Sequence, residues 1–429
     1  MSYEHILKTD PVIFDLINKE IKRQQEGLVM IASENFVSQA VLEVSGTPLT
    51  NKYSEGYPYK RYYTGNQYID AIEDLAITRV KKLFNAEYAN VQPHSGSSAN
   101  MAAYAAILKP GDKILGIELS HGGHLTHGSS VNFSGKTYQF IAYGVNKDTE
   151  RIDMDEVYKI ALEHKPRLIL SGTTAYPRTL DFDAFATIAK KVNAYAMADI
   201  AHIAGLCATG FHPSPVATHD IVTATTHKTL RGPRGGLILS KSKDKFQEIY
   251  HSDSIKDLSQ RIGAAVFPGQ QGGPLEHIIA AKAVCFEEAL RPEFVVYQNQ
   301  IIKNAKVLAE TLIENGLRLV SNGTDNHLML IDCGQLGITG VDAANTLAEV
   351  GIYTNFNKIP FDQRPAMNPS GVRLGTPALT SRGMQEKEMK IIGQLISIML
   401  NNIGSKTVKE KIKIQVKELT EQYPLYQEL

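Results

Sequence analysis

The sequence predicts an α/β protein built on a mainly parallel sheet covered on both faces, followed by a smaller α/β domain. Two observations carry that prediction. Short apolar and β-branched runs alternate with helical stretches, and runs such as Tyr195 to Asp199 and Ile221 to Thr225 are apolar or small almost throughout, as strands buried on both faces must be. No repeat, low-complexity tract or heptad array competes with this reading.

Asp10-Pro11 opens the first helix, with an N-cap followed by proline at the first helical position, and Phe14, Ile17 and Ile21 give it one apolar face. The chain to about Arg61 is irregular. From Tyr68, the spacing of Ile69, Ile72, Leu75, Ala76, Val80 and Leu83 marks the helix that opens the large domain. An alanine-rich helix follows from Met101 to Leu108. Strands are expected at Lys113 to Ile117, Leu168 to Leu170, Tyr195 to Asp199, Ile221 to Thr225 and Gly236 to Leu239. After Gly272-Gly273-Pro274, a helical stretch containing Ala280 to Leu290 leads to the smaller domain, with strands near Leu328 to Asp332 and Gly371 to Leu374. Its amphipathic C-terminal run, Ile391, Ile392, Leu395, Ile396 and Met399, packs on that sheet. The expected boundaries are an arm over 1–63, a large domain over 64–279 and a small domain over 280–429.

With 429 residues and 43% hydrophobic content, two or three domains with a substantial core are expected. The 45 basic and 45 acidic side chains leave a formal net charge of zero, so charge gives no case for nucleic-acid or membrane partners. Cys207, Cys285 and Cys333 are widely spaced, which suggests neither a disulfide framework nor a metal site. The N-terminus, Met1-Ser2-Tyr3-Glu4-His5, has no basic lead and no apolar run, and a cytoplasmic protein is expected.

The chemistry is concentrated around Lys228. It follows a β-branched strand and precedes the glycine-rich Arg231-Gly232-Pro233-Arg234-Gly235-Gly236. A lysine that condenses with a carbonyl must be desolvated or placed beside other cations, and Arg231, Arg234 and His227 are to hand; the alternative is a surface lysine at a strand end. Upstream, Asp199 ends another buried strand. A carboxylate and a lysine after neighbouring parallel strands share the sheet edge where open α/β folds bind ligands. That pairing suits pyridoxal phosphate, which needs an amine for its aldehyde and an acid for its pyridinium nitrogen. Ser95-Gly96-Ser97-Ser98, directly before the alanine-rich helix, offers backbone N–H groups and hydroxyls to a phosphate; an ordinary serine N-cap is the alternative.

With these residues in view, the chain resembles the serine hydroxymethyltransferase family, bacterial type, from about Phe14 onward. The hallmark strings are Ile31-Ala32-Ser33-Glu34-Asn35, Leu49 to Pro58, Lys60-Arg61-Tyr62-Tyr63, His121-Gly122-Gly123-His124-Leu125-Thr126-His127-Gly128, the Lys228 segment, and Gly269-Gln270-Gln271-Gly272-Gly273-Pro274. The resemblance implies a fold type I pyridoxal-phosphate enzyme with a seven-stranded large-domain sheet, transferring the hydroxymethyl group of L-serine to tetrahydrofolate. Glycine and 5,10-methylenetetrahydrofolate are the products. It implies Lys228 as the cofactor-bound amine, Asp199 on the pyridine nitrogen, His124 against the ring, Thr174 near the phenolic oxygen, and His202 near that oxygen or the substrate, with His227 supporting. Gly96 and Ser97 fall on phosphate ligands, and Tyr53, Gly272 and Gly273 on cofactor contacts. Arg373 matches the carboxylate-binding arginine, Ser33 and Tyr63 further substrate contacts, and Glu55 the acid/base carboxylate. Leu119, Gly123, Leu125 and Asn357 match folate contacts. A homodimer follows, because Tyr53, Glu55, Tyr63, Gly272 and Gly273 serve the partner's site in the family.

This chain departs from the family pattern in places. Thr174 stands where serine is usual, Gln270 where glycine is common, and Phe356 where a lysine often precedes the folate asparagine. Lys241 to Gln260 reads as a longer, solvated surface insertion. Three other classes are weighed against this one. A threonine aldolase would keep Lys228, Asp199 and Arg373 without folate contacts, and an assay with and without tetrahydrofolate separates the two. An RNA-binding or regulatory protein would need broken chemistry or a basic surface. A dehydrogenase would need a Gly-x-Gly-x-x-Gly turn after a strand, which is absent.

Overall fold

A computed structural model describes residues 3–427; Met1 and Ser2 of the N-terminal stretch read above lie outside them. The chain forms two compact units, Ala40–Gln298 and, together, the residues up to Gln39 and from Asn299 onward. Residues 40–63 and 280–298 thus belong to the larger unit, and the segment before Ala40 to the smaller.

The larger unit is built on seven strands: β1 (Tyr88–Asn90), β2 (Lys113–Ile117), β3 (Gln139–Tyr143), β4 (Leu168–Gly172), β5 (Tyr195–Asp199), β6 (Ile221–Thr225) and β7 (Gly236–Ser240). Their order across the sheet is β1-β7-β6-β5-β4-β2-β3. Strands β2 to β6 pair in parallel, while β7 lies antiparallel between β6 and β1. Alternate strand residues feed two cores. Leu168, Leu170 and Met197 join one with Ala99, Ala103 and Ile262, whereas Ile169 and Ala196 join the other with Val157, Phe185 and Ile188. Burial on both faces is why the strands read as continuous apolar runs. Sequence patterning missed β1, only three residues long, and β3, whose Gln139 and Ala142 are exposed on the sheet edge.

Helix α1 (Gln67–Phe84) turns Ile69, Ala76, Val80 and Phe84 inward, but Leu75, expected on that face, is 44% exposed and Glu73 is buried. Arg61 accounts for this. Its guanidinium donates to Asp70 at 2.8 Å and to Glu73 at 2.7 Å, so the charged side of the helix is the one drawn in. The Lys241 to Gln260 stretch also corrects the sequence reading of a solvated insertion. Its tip is exposed at Ile249 and Ile255, yet Asp244, Phe246 and Leu258 are buried. Asp244 accepts from the Tyr195 hydroxyl of β5 and pairs with buried Arg261, rooting the segment in the core.

In the smaller unit, β8 (Leu328–Asp332), β9 (Asn355–Asn357) and β10 (Gly371–Gly375) form an antiparallel sheet in the order β8-β10-β9. Met329, Ile331, Val372 and Leu374 pack with Ile392, Leu395, Ile396 and Met399 of helix Glu386–Asn401, as the amphipathic spacing requires. Helix Pro11–Glu26 starts where expected, with the Asp10 carboxylate accepting from the Val12 and Ile13 N–H groups. Its Val12, Ile13 and Leu16 remain exposed. No helix among the described residues is long and apolar enough to cross a membrane.

Candidate active site

The parallel strands place their carboxyl ends on one sheet edge, and most of the chemistry-bearing residues of the larger unit follow those ends. Leu119, Gly123, His124 and Leu125 come after β2, Thr174 after β4, Asp199 and His202 at and after β5, and His227 and Lys228 after β6. Because β7 is antiparallel to both neighbours, β1 shares the direction of the parallel group and delivers Gln92 to Ser97 to the same edge. Asp199 pairs with Thr223 across β5 and β6, which sets the acid beside the strand that carries Lys228.

Asp199 is buried and held by several donors. Its Oδ2 accepts from Asn100 Nδ2 at 2.8 Å and lies 3.1 Å from His127 Nε2, and its Oδ1 accepts from the Ala201 N–H at 3.0 Å. Burial alone would push this carboxyl up; the hydrogen bonds from His127 and Asn100 more than offset it and hold the group well below the usual carboxylate range. The His127 tautomer follows from its other nitrogen. Nδ1 accepts from the His124 N–H, so Nε2 carries the proton donated to Asp199. An acid kept anionic in this way suits a protonated pyridine nitrogen.

The same network reaches His124. Asn100 Nδ2 also donates to Thr126 Oγ1 at 2.9 Å, and Thr126 Oγ1 lies 2.7 Å from His124 Nδ1, which accepts from the Thr126 N–H. Thr223 donates to Asn100 Oδ1 at 2.6 Å, closing the chain back onto β6. Sequence reasoning gave Asn100, Thr126, His127 and Thr223 no role. His127 lay within a quoted string, but its partner Asp199 is 72 residues away, and nothing local signals that pairing.

Gly122 and Gly123 are demanded by the packing of the turn itself. Gly122 has φ +110°, and a Cβ on Gly123 would come within 2.7 Å of the Ile117 carbonyl. The Thr174 hydroxyl donates to the Gly123 carbonyl at 3.0 Å, tying the residue after β4 to this turn. The turn also borders a cavity of about 270 Å³ lined by Ile117, Leu119, His127 and Phe140.

Lys228 is 9% exposed, which discards the surface-lysine alternative. The cationic neighbourhood expected for it is only partly present. Arg231 adopts φ +58° and places its guanidinium 4.3 Å above the Tyr297 ring. Burial, then the charges of Lys228 and Arg234, push the His227 ring down to about 3, so it is neutral at physiological pH. The Thr229 hydroxyl, next to Lys228, donates to the carbonyl of buried His202 at 3.0 Å and joins the two strand ends.

Helix α2 (Gly96–Ile107) begins at this edge with a Ser95/Ser98 capping box. The Gly96 and Ser97 N–H groups, at its first two positions, lack intrahelical acceptors and are the ones a phosphate would meet. The turn is pressed against the sheet. A Cβ on Gly236 would stand 2.2 Å from the Ser95 carbonyl oxygen, and one on Gly96 would stand 2.7 Å from Thr225 Cγ2. Gln271 binds the turn from the other side, accepting from the His94 N–H and donating to the Gln92 carbonyl.

Tyr53, Glu55, Tyr63, Gly272 and Gly273 form a second cluster in this unit. The Tyr53 hydroxyl donates to Glu55 at 3.3 Å, and the Tyr53 and Tyr63 rings meet edge to face at 5.1 Å. A Cβ at Gly272 would stand 3.1 Å from Glu55 Oε1, and one at Gly273 3.1 Å from Tyr53 Cε2, so both glycines lie in close contact with these side chains. Tyr53 and Tyr63 are about half exposed, at 54% and 46%.

The smaller unit carries Ser33, Asn357 and Arg373. Arg373 is buried at the centre of β10, donates to Asn355 Oδ1 at 3.1 Å, and is pushed down by burial to about 10, so it stays cationic at neutral pH. Asn357 is two residues along β9 from Asn355 and therefore on the same face, whereas Phe356 points to the other and is 42% exposed. The segment containing Ser33 lies along β10, with the Gly375 N–H donating to the Met30 carbonyl.

One comparison with known proteins bears on these arrangements: a family model described as serine hydroxymethyltransferase matches residues 6–396.

Proposed function

The chain belongs to the serine hydroxymethyltransferase family, and from that premise we propose which of its residues carry the family's reaction. The protein is a pyridoxal-phosphate-dependent transferase of serine and glycine metabolism. Its reaction is the reversible transfer of the hydroxymethyl group of L-serine to tetrahydrofolate, giving glycine and 5,10-methylenetetrahydrofolate.

The observation that carries the assignment of residues is the Asp199 network beside Lys228 on one strand edge. Bound pyridoxal phosphate supplies an electron-accepting ring for the electrons of the broken Cα–Cβ bond. Lys228 is the amine that holds its aldehyde carbon. Asp199, kept anionic by His127 and Asn100, would hold the proton on the ring nitrogen, and His124 would contact the ring. Thr174 binds the phenolic oxygen, His202 that oxygen or the substrate, His227 supports the lysine, and the α2 start binds phosphate through Gly96 and Ser97. Arg373 binds the serine carboxylate with Ser33 and Tyr63. Glu55 moves protons at the serine hydroxyl and the folate nitrogen. Tetrahydrofolate lies against Leu119, Gly123 and Leu125, with Asn357 as a polar contact. The same constellation without folate cleaves other β-hydroxy amino acids as a side activity.

Tyr53, Glu55, Tyr63, Gly272 and Gly273 serve the site of a partner subunit in a homodimer. Their clustering at an exposed surface supports this, as do the exposed Leu7, Val12, Ile13 and Leu16 near the N-terminus. A cytoplasmic location belongs to the same reading and is supported by three buried free thiols. Serine-to-glycine conversion by the purified protein, assayed with and without tetrahydrofolate, tests the assignment. Folate should accelerate conversion strongly; equal rates on serine with and without it would favour the aldolase class.

A further inference from the structure

Lys282 lies outside every role assigned above, yet it is among the most deeply buried charged groups of the protein, at 1% exposure. It projects from α3 (Glu276–Ala289), and its ammonium donates to three backbone carbonyls: Val91 at 2.6 Å, Pro93 at 3.1 Å and Gly236 at 2.8 Å. Three acceptors use all three N–H bonds of an ammonium. The Pro93 carbonyl accepts from the Gly236 N–H as well, so Lys282 caps the junction where the end of β1 meets the start of β7.

The placement of those carbonyls gives the lysine a consequence for cofactor binding. Val91 and Pro93 lead directly into Ser95-Gly96-Ser97. Gly236 ends the loop that begins with Thr226-His227-Lys228, and its Cα abuts the Ser95 carbonyl. One ammonium therefore binds the backbone on both sides of the junction between the phosphate turn and the Lys228 loop. Burial pushes it down to about 7, while the carboxylate of Glu73 favours the charged form. The other titratable groups near enough to feel it are Cys285 on its own helix and the rings of His94 and His227. Glu73 is itself engaged by Arg61 and Gln92, so Lys282 is not committed to a tight ion pair and its N–H bonds go to the backbone.

We propose that Lys282 is a positioning residue for the cofactor phosphate, its ammonium bracing the phosphate-binding turn against the Lys228 loop through the Val91, Pro93 and Gly236 carbonyls. The proposal rests on the reading above that Gly96 and Ser97 bind that phosphate. It distinguishes phosphate positioning from general support of the fold, because pyridoxal, which has the same aldehyde and ring but no phosphate, should feel loss of the brace far less.

Equilibrium binding of pyridoxal phosphate and of pyridoxal to the apoprotein tests it, using Lys282→Met, Gly235→Ala and Ser97→Asp. Lys282→Met keeps the chain length and removes the donor. Gly235→Ala leaves the lysine in place but sets a Cβ 2.5 Å from its Cε and 3.0 Å from its Nζ, which displaces the ammonium; it decides the matter if the methionine variant does not fold. Both should bind pyridoxal phosphate about tenfold or more weakly and pyridoxal within about threefold of wild type. Unchanged phosphate-ester affinity, or equal losses for the two ligands, overturns the bracing role. Ser97→Asp separates the two layers of inference. If it lowers the preference for the phosphate ester and the other two variants do not, the brace falls and the cofactor reading stands. If it leaves that preference intact, the phosphate assignment falls, and the brace with it.

Discussion

The Asp199 cluster and the Tyr53–Glu55 cluster lie in the same unit but are built in opposite ways. Asp199, Asn100, Thr126 and Lys228 are buried, and a chain of hydrogen bonds from three elements holds the acid, its histidine and the neighbouring strand in one geometry. Glu55 is held in place mainly through its neighbours: Arg61 grips the carbonyls of Ser54 and Gly56, while the Glu55 side chain meets the hydroxyls of Tyr53, at 3.3 Å, and Tyr63. A buried acid surrounded by donors keeps its charge and position without help. A partly buried glutamate beside half-exposed tyrosines is a site finished by another surface.

The largest effect that would break this contrast comes from mixing two dead proteins. Lys228→Ala should abolish turnover and leave no borohydride-fixed cofactor on the chain, and Glu55→Gln should retain the cofactor but lose about 10²- to 10⁴-fold in folate-dependent rate. If each site takes its lysine from one subunit and its glutamate from the other, co-refolding equal amounts of the two restores about a quarter of wild-type activity, because half the dimers are mixed and each has one intact site. No recovery in demonstrably mixed dimers would mean that each chain completes its own site.

A smaller effect sharpens the buried half of the comparison. His127→Phe removes the Nε2 donor and should raise the Asp199 carboxyl toward its ordinary value. Asp199 has a depressed folded-state value, so its stabilising charge is fully present above the unfolded value near 3.8 and is lost as pH falls through the folded one. The variant should lose cofactor at higher pH during acid titration than wild type, with a cost of about 1.5–3 kcal/mol for the lost charged hydrogen bond. Coincident acid transitions, followed by cofactor absorbance, would show that His127 does not hold the acid. Smallest of all is Tyr53→Phe. It deletes one long, exposed hydrogen bond and should change kcat by less than about threefold; a loss as large as that of Glu55→Gln would give the hydroxyl a direct part in the chemistry.

The two clusters were also unequally legible in the sequence. Apolar strand runs and the acid and lysine that end them are local patterns, and the parallel pairing of β5 with β6 turns that linear order into proximity. The β7 reversal was not foreseeable from periodicity, which reports burial but not direction. Nor was the inward face of α1, because Glu73 and Asp70 are buried only through a guanidinium contributed by a preceding turn. The 241–260 stretch misled for the same reason: its charges looked solvated, while Asp244 was committed to Tyr195 and Arg261. Glu55 itself stood out only through its resemblance to a family string, since a lone loop carboxylate has no pattern of its own.

The contact between Gly236 and the Ser95 carbonyl limits how this enzyme can evolve. Where backbone meets backbone, no side chain is available for gradual enlargement or trimming, and any substitution at Gly236 thrusts an atom into an oxygen 2.2 Å away. Mutation can abolish that joint but cannot retune it. Selection acting on how the vitamin is seated must therefore work through the surrounding residues, leaving the joint itself invariant.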